Sequence, residues 1–340
     1  MALTTGLSAF MLADMLAEYT PRVVFLYNFS IFAADMDFRY RLRFIAVVCV
    51  MTVMTAVVSG AVSSHRESCR HALVVGIGDY PDGSGWIKIN GDRDAGLVVQ
   101  MLERNGFQEE GIEVLLNARA TKSNIRDAFA ALCRQVGSGD IVYVHFSGHG
   151  QQVTDISGDE EDGLDESFVP YDACKEYSQG VYEGENHIID DELNMWLAEL
   201  KNAVGGRGKI LFVMDACHSG DSTRGDDMEV SWPMRGTEDV FEIPQGVRPA
   251  WLDGIGDECS DIEWLLIAAC KSYQSNYEYE SEDGYYGRLT WALHKCLYPD
   301  MDFRKLVEEL EEVYDIMPDT PKPQELEAIG PPGVNGKLFM

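Results

Sequence analysis

Apolar positions along the chain follow two alternating rhythms. Short unbroken runs, Ala72–Ile77, Glu113–Leu116, Ile141–Phe146, Ile210–Met214 and Trp264–Ala269, read as buried strands. Between them lie segments with a helical period. Thr121 to Val136 places Ile125, Phe129, Leu132 and Val136 at spacings of four, three and four, and Phe303–Ile316 lines up Phe303, Leu306, Leu310 and Val313. Asp92–Glu103, Asp190–Lys201 and Leu289–Leu297 complete the helical set. Fully apolar strands separated by helices predict an α/β domain over residues 62–340, with a mainly parallel sheet covered on both faces. Residues 221–262 interrupt this pattern. They hold three prolines, three arginines (Arg224, Arg235 and Arg248) and no sustained period, so they read as one long surface insertion.

The N-terminus has a different character. Arg39, Arg41 and Arg43 precede an uncharged run of 15 residues, Phe44 to Val58, and Ser59 and Ala61 are placed for a cut before Val62. The run is short of the ~18 residues that a spanning helix needs. Residues 36–61 are therefore expected to be a cleaved signal peptide, giving a secreted or extracytoplasmic protein. The alternative is a membrane anchor at 44–58. Residues 1–35 precede a second methionine, Met36, and read as an upstream extension.

Charge narrows the partners. The 340 residues carry 57 acids against 27 bases, a formal charge of −30. Such a chain repels phosphate backbones, so nucleic acid is excluded as a partner and basic peptides or cations are favoured. A membrane enters only through an uncleaved N-terminus, and a monomer is expected. The eight cysteines show no close CxxC pair, which argues against zinc, and an odd number remains once Cys49 leaves with the export segment.

The chemistry collects at two strand ends. The third strand runs into Ser147-Gly148-His149-Gly150 and the fourth into Asp215-Ala216-Cys217-His218-Ser219-Gly220. In parallel sheets, catalytic groups gather beyond the carboxyl ends of strands. If these two strands are neighbours, His149 and Cys217 project from one edge as a thiol nucleophile with its acid/base partner. The amides of Gly150 and Cys217 are then free to face a developing oxyanion. His145, mid-strand, and His218 are weaker rivals for the base. A dinucleotide reading of Gly76-x-Gly78 is poor, because Pro81 stands where a third glycine belongs.

SGHG followed 68 residues later by DACHSG resembles the metacaspases, relatives of the caspases among the cysteine peptidases. GDEEDGLDE at 158–166, IDDEL at 189–193, AAC at 268–270 and GRLTWAL at 287–293 add to the likeness. The resemblance implies a caspase–hemoglobinase fold, a mainly parallel six-stranded sheet with helices on both faces, and cleavage after Arg or Lys through a Cys217–His149 dyad. It also places Asp215, Asp94 and Ser147 in the substrate pocket, although Arg93 stands where the family has Asn. A carboxylate at Asp215, two residues before the nucleophile, independently suits a guanidinium. Arg224, Arg235 and Arg248 are candidate self-cleavage sites.

Residues 155–192 hold 14 acids and one base, Lys175. Oxygen ligands at this density suit Ca²⁺. An EF-hand reading fails, since Glu160 occupies the position that needs glycine. The family resemblance implies a calcium site from Asp162 or Asp165 with Asp190 and Asp191. Two other functions stay open: a caspase-like peptidase cutting after Asp, and a non-catalytic calcium-binding protein on the same fold.

Overall fold

A computed structural model describes residues 68–158, 160, 162–217, 232–255, 262–331 and 336–339. The export segment, the upstream extension, His218 and Arg224 lie outside the described residues. Among the described residues no helix is long and apolar enough to cross a membrane.

Six strands build the central sheet: β1 (Arg70–Gly76), β2 (Ile112–Leu116), β3 (Ile141–Ser147), β7 (Lys209–Asp215), β8 (Leu265–Ala268) and β11 (Glu327–Ile329). Their order is β11-β8-β7-β3-β1-β2, and every pairing is parallel except that of β11 with β8. The first five strands coincide with the apolar runs. The edge strand β11 is three residues long and carries no run of its own.

Among the described residues five helices cover the sheet: α1 (Gly91–Arg104), α2 (Lys122–Gln135), α3 (Asp190–Val204), α4 (Arg288–Cys296) and α5 (Phe303–Ile316). Alternation along the strands divides the core in two. Leu73, Val75, Val144, Phe146 and Phe212 point to one face, against Ile125, Phe129 and Leu132 of α2 and Leu193, Leu197 and Leu200 of α3. Ala72, Val74, Tyr143, Leu211 and Val213 point to the other, against α1, α4 and α5. Each fully buried Leu, Val or Phe contributes about 1.5–3 kcal/mol. Thr121 caps α2 by accepting from the Asn124 amide, and Asp302 caps α5 by accepting from Lys305.

Two smaller sheets frame the carboxyl edge. The strands β4 (Gly150–Thr154), β5 (Leu164–Phe168) and β6 (Ile188–Ile189) form an antiparallel trio, and β9 (Glu278–Ser281) pairs with β10 (Gly284–Gly287) as a hairpin. The expectation of a long surface loop over 221–262 needs correcting for the described part, 232–255. Arg235 and Phe241 are fully buried there, and Ile243 and Leu252 are nearly so. Phe241 packs on His187 and Tyr182, which gives this segment an apolar anchor between two polar stretches.

Candidate active site

β3 and β7 are neighbours in register, with Ser147 opposite Asp215. His149 and Cys217 each lie two residues beyond that pair, so the sheet brings both to one edge. Each is buried. The His149 Nε2–H donates to the Ile87 carbonyl at 2.9 Å. A carbonyl only accepts, so the proton sits on Nε2 and the lone pair on Nδ1. Nδ1 is buried without a hydrogen-bond partner. Trp86 stacks on the ring at 4.8 Å and Tyr80 lies 5.1 Å away. Burial pushes the His149 pKa down to about 4, leaving a neutral imidazole at pH 7. His145 is committed elsewhere, between the Tyr143 hydroxyl at 3.0 Å and Thr290 Oγ1 at 3.1 Å.

The Cys217 thiol donates to the Gln274 carbonyl at 3.3 Å. Its backbone amide donates to the carbonyl of Arg235 at 2.8 Å, and the Gly150 amide reaches the same oxygen at 3.3 Å. The two amides named for an oxyanion thus converge on one peptide carbonyl, that of an arginine in the chain's own insertion.

Arg235 is held like a ligand at its backbone and at the tip of its guanidinium. Its amide donates to the Asn276 carbonyl and Glu278 donates back to Pro233, each at 2.9 Å, so residues 233–235 lie antiparallel to 276–278. Beyond it, Gly236 bridges to Gly150 and Phe241 exchanges hydrogen bonds with Gln152 and Thr154, which places 236–241 beside β4. The guanidinium fills a buried acidic pocket. Nη1 donates to Asp94 Oδ2 at 2.7 Å and to Ser147 Oγ at 2.5 Å, and lies 3.7 Å from Asp215 Oδ1. Nη2 donates to Glu278 Oε1 at 3.1 Å. Glycine is required at the next position. A Cβ at Gly236 would stand 2.5 Å from the Cys217 carbonyl oxygen.

Asp94, Ser147 and Asp215, the three predicted pocket residues, therefore meet one guanidinium. Asp94 reaches it from the first turn of α1, and its carboxylate also accepts the Gly287 amide at 3.0 Å. Burial raises its pKa to about 6 even though the Arg235 charge pulls the other way. For Asp215 burial also raises the pKa, but Arg235 and hydrogen bonds from Thr290 and Asn276 outweigh it and hold the group below its ordinary value. Sequence reasoning missed Glu278, Asn276 and Thr290. Of these, only Thr290 lay inside a recognised motif, at 287–293. Among the other candidate cleavage arginines, Arg248 is exposed, its Nε 3.9 Å from Asp253.

Residues 70–224 match the metacaspase, peptidase C14 domain family model. Those residues carry a metacaspase-type peptidase C14 domain. The chain is 26% identical over 252 residues to Metacaspase-1B of Aspergillus fumigatus, covering 63% of this chain and 59% of that protein. Metacaspase-7 of Arabidopsis thaliana is 36% identical over 126 residues, covering 35% of this chain and 27% of the relative. The chain spans just under three fifths of the length of the first of these relatives. A Geobacter sulfurreducens protein of known crystal structure shares the fold, with a TM-score of 0.53 at 24% identity, covering 78% of this chain and 94% of the other. The sheet is of the caspase–hemoglobinase kind, with SGHG and Asp215-Ala216-Cys217 at adjacent strand ends.

The acidic stretch assembles differently from the expectation. Carboxylate oxygens of Glu160, Glu166 and Asp190 lie within 4.8 Å of one another. Asp162 is exposed, accepting the Leu164 amide at 3.1 Å, and does not join them. Alternation along β5 separates Glu166 from Asp165 and Ser167, which point to the opposite face. Asp165 and Asp191 are buried close enough to act on the Asp190 charge. Burial and the surrounding carboxylates push Asp190 up to about 8 and Glu166 up to about 7.

Proposed function

We propose that this chain is a metacaspase, a calcium-dependent cysteine endopeptidase that cuts after Arg or Lys and processes itself after Arg235. The observation that supports this reading best is the burial of Arg235, with its guanidinium among carboxylates and its carbonyl under the two amides beside Cys217. A buried arginine is rare without a matched site, and here the match includes the peptide bond that would be cut.

The chemistry follows from the dyad. Cys217 Sγ, its proton taken by neutral His149, attacks the carbonyl carbon, and the amides of Cys217 and Gly150 hold the oxygen as charge develops. His149 then protonates the departing amine, which in self-cleavage is the nitrogen of Gly236. Water hydrolyses the thioester, and His149 accepts the proton of that water. A pocket lined by three carboxylates disfavours an aspartate before the cut.

Glu160, Glu166 and Asp190 would hold the calcium ion, with Asp165 and Asp191 beside them. The buried Asp190 Oδ1 has no hydrogen-bond partner, as a waiting ligand oxygen would. Bound there, the ion would neutralise the clustered carboxylates. Glu166 of the cluster lies on β5, which pairs with β4 at Gly150 and is followed by Val169, whose amide donates to the His149 carbonyl at 2.9 Å. Order in β5 is thereby passed to both the base and the oxyanion amides.

Hydrolysis of Arg-ended and Asp-ended peptide amides, with and without calcium, tests the reading. We expect turnover of the Arg substrate alone, and only with calcium. The calcium needed for half-maximal rate should fall as pH rises from about 6 to about 9, because protons on Glu166 and Asp190 compete with the ion. Equal rates in a chelator would remove the calcium claim, and turnover of the Asp substrate would remove the specificity claim.

A further inference from the structure

The pocket grips the two terminal guanidinium nitrogens from separate sides. Nη1 faces Asp94, Ser147 and Asp215, while Nη2 faces only Glu278, at 3.1 Å. Glu278 opens the β9 hairpin and is 1% exposed. Its carboxylate is fixed before any substrate arrives: Oε1 accepts the Asn90 backbone amide at 2.7 Å and Oε2 accepts Asn90 Nδ2 at 2.6 Å. Asn90 is itself the residue at the start of α1, the helix that carries Asp94. One helix N-terminus thus sets the spacing between the two halves of the grip.

A lysine ammonium is a single point charge, whereas a guanidinium is a planar fork. Seated at the Nη1 position, an ammonium satisfies Asp94, Ser147 and Asp215 but leaves Glu278 a buried carboxylate with no cation against it. Seated near Glu278, it abandons the other three. A site built for a hydrogen-bonding group rejects the analogue that leaves its polar atoms unpaired.

We propose that Glu278, clamped by Asn90, is a specificity-determining residue that makes the pocket select arginine over lysine. The inference rests on the Arg or Lys reading proposed above and sharpens it to one side chain. Substrates are then peptides with arginine, not lysine, before the cut.

The test compares kcat/KM for two peptide amides that differ only in a terminal Arg or Lys, using the full chain with calcium. Wild type should prefer Arg by about 30-fold or more, the worth of one charge-assisted hydrogen bond in a buried site. In Glu278→Gln the Arg value should fall by about that factor while the Lys value changes less than about threefold, collapsing the ratio. Asn90→Ala, which keeps the carboxylate but frees it, should lower the ratio in the same direction and by less. Wild type cutting both substrates equally well, or a ratio unchanged in both variants, would overturn the role of Glu278 while leaving basic-residue specificity intact. Cleavage of neither substrate would instead overturn the parent reading. A loss of folding in Glu278→Gln shifts the decision to Asn90→Ala, whose unchanged ratio would overturn the proposal.

Discussion

Cys217→Ala should abolish peptide hydrolysis, with a loss of about 10⁴-fold or more, because the Cys217 thiol is the nucleophile of the proposed dyad. The fold should survive. The substitution removes one sulfur and its hydrogen bond to the Gln274 carbonyl, but the backbone amide that donates to Arg235 stays in place. Arg235 should therefore remain seated, and the variant should stay a single uncut chain. Progress curves with an Arg-ended peptide amide, beside an unfolding curve for each protein, separate lost chemistry from lost structure. Residual turnover at a tenth of wild type would remove Cys217 as the nucleophile.

The second large effect is expected from Asp215→Asn. Asp215 accepts from Asn276 Nδ2 at 2.8 Å, from the Thr290 amide at 2.8 Å and from Thr290 Oγ1 at 2.6 Å, while facing the guanidinium. An asparagine has one acceptor oxygen where the carboxylate has two, so its NH₂ must point at a donor. The pocket also loses a negative charge that opposes a buried cation. Removing one partner of a buried, hydrogen-bonded ion pair costs about 2–5 kcal/mol. We expect kcat/KM for an Arg substrate to drop by about 10²–10³, and the uncut chain to unfold at lower urea. The pH profile adds a check on its neighbour. Asp94 carries a pKa of about 6, so wild-type kcat/KM should fall as pH drops through that value and Asp94 takes up a proton. An Asp215→Asn variant with wild-type kcat/KM would contradict the pocket assignment.

The residues that the sequence made legible share a property: each is announced by a pattern spanning a few neighbours. Apolar runs end at Ser147 and Asp215, and the glycine-flanked His149 and Cys217 follow at once, so adjacency of two strands was the only step left to infer. Helix periods over 121–136 and 303–316 were equally local. What stayed hidden depends on distant parts of the chain. Glu278 opens the strand Glu278–Ser281, a four-residue polar segment with no apolar signal, and its meaning comes from Asn90 and Arg235 arriving from elsewhere. Arg235 stands in a Pro-containing acidic stretch that reads as solvated, and its burial requires carboxylates from α1, β7 and β9 at once. The resemblance pointed to Asp162 or Asp165, whereas the clustered oxygens are those of Glu160, Glu166 and Asp190; on the strand 164–168 alternate residues face opposite ways, which separates Glu166 from Asp165.

Arg235 connects the parts: its side chain reports the pocket, its carbonyl the oxyanion amides, and the bond after it the chemistry. That the insertion is bound as the enzyme's own substrate is best tested by intact-mass measurement of the purified chain before and after calcium is added. The account predicts a single cut between Arg235 and Gly236, giving one fragment that ends in Arg235 and one that begins with Gly236, and no such cut in Cys217→Ala. A wild-type chain that is cut only elsewhere, or that stays whole while hydrolysing Arg-ended peptides in calcium, would contradict it.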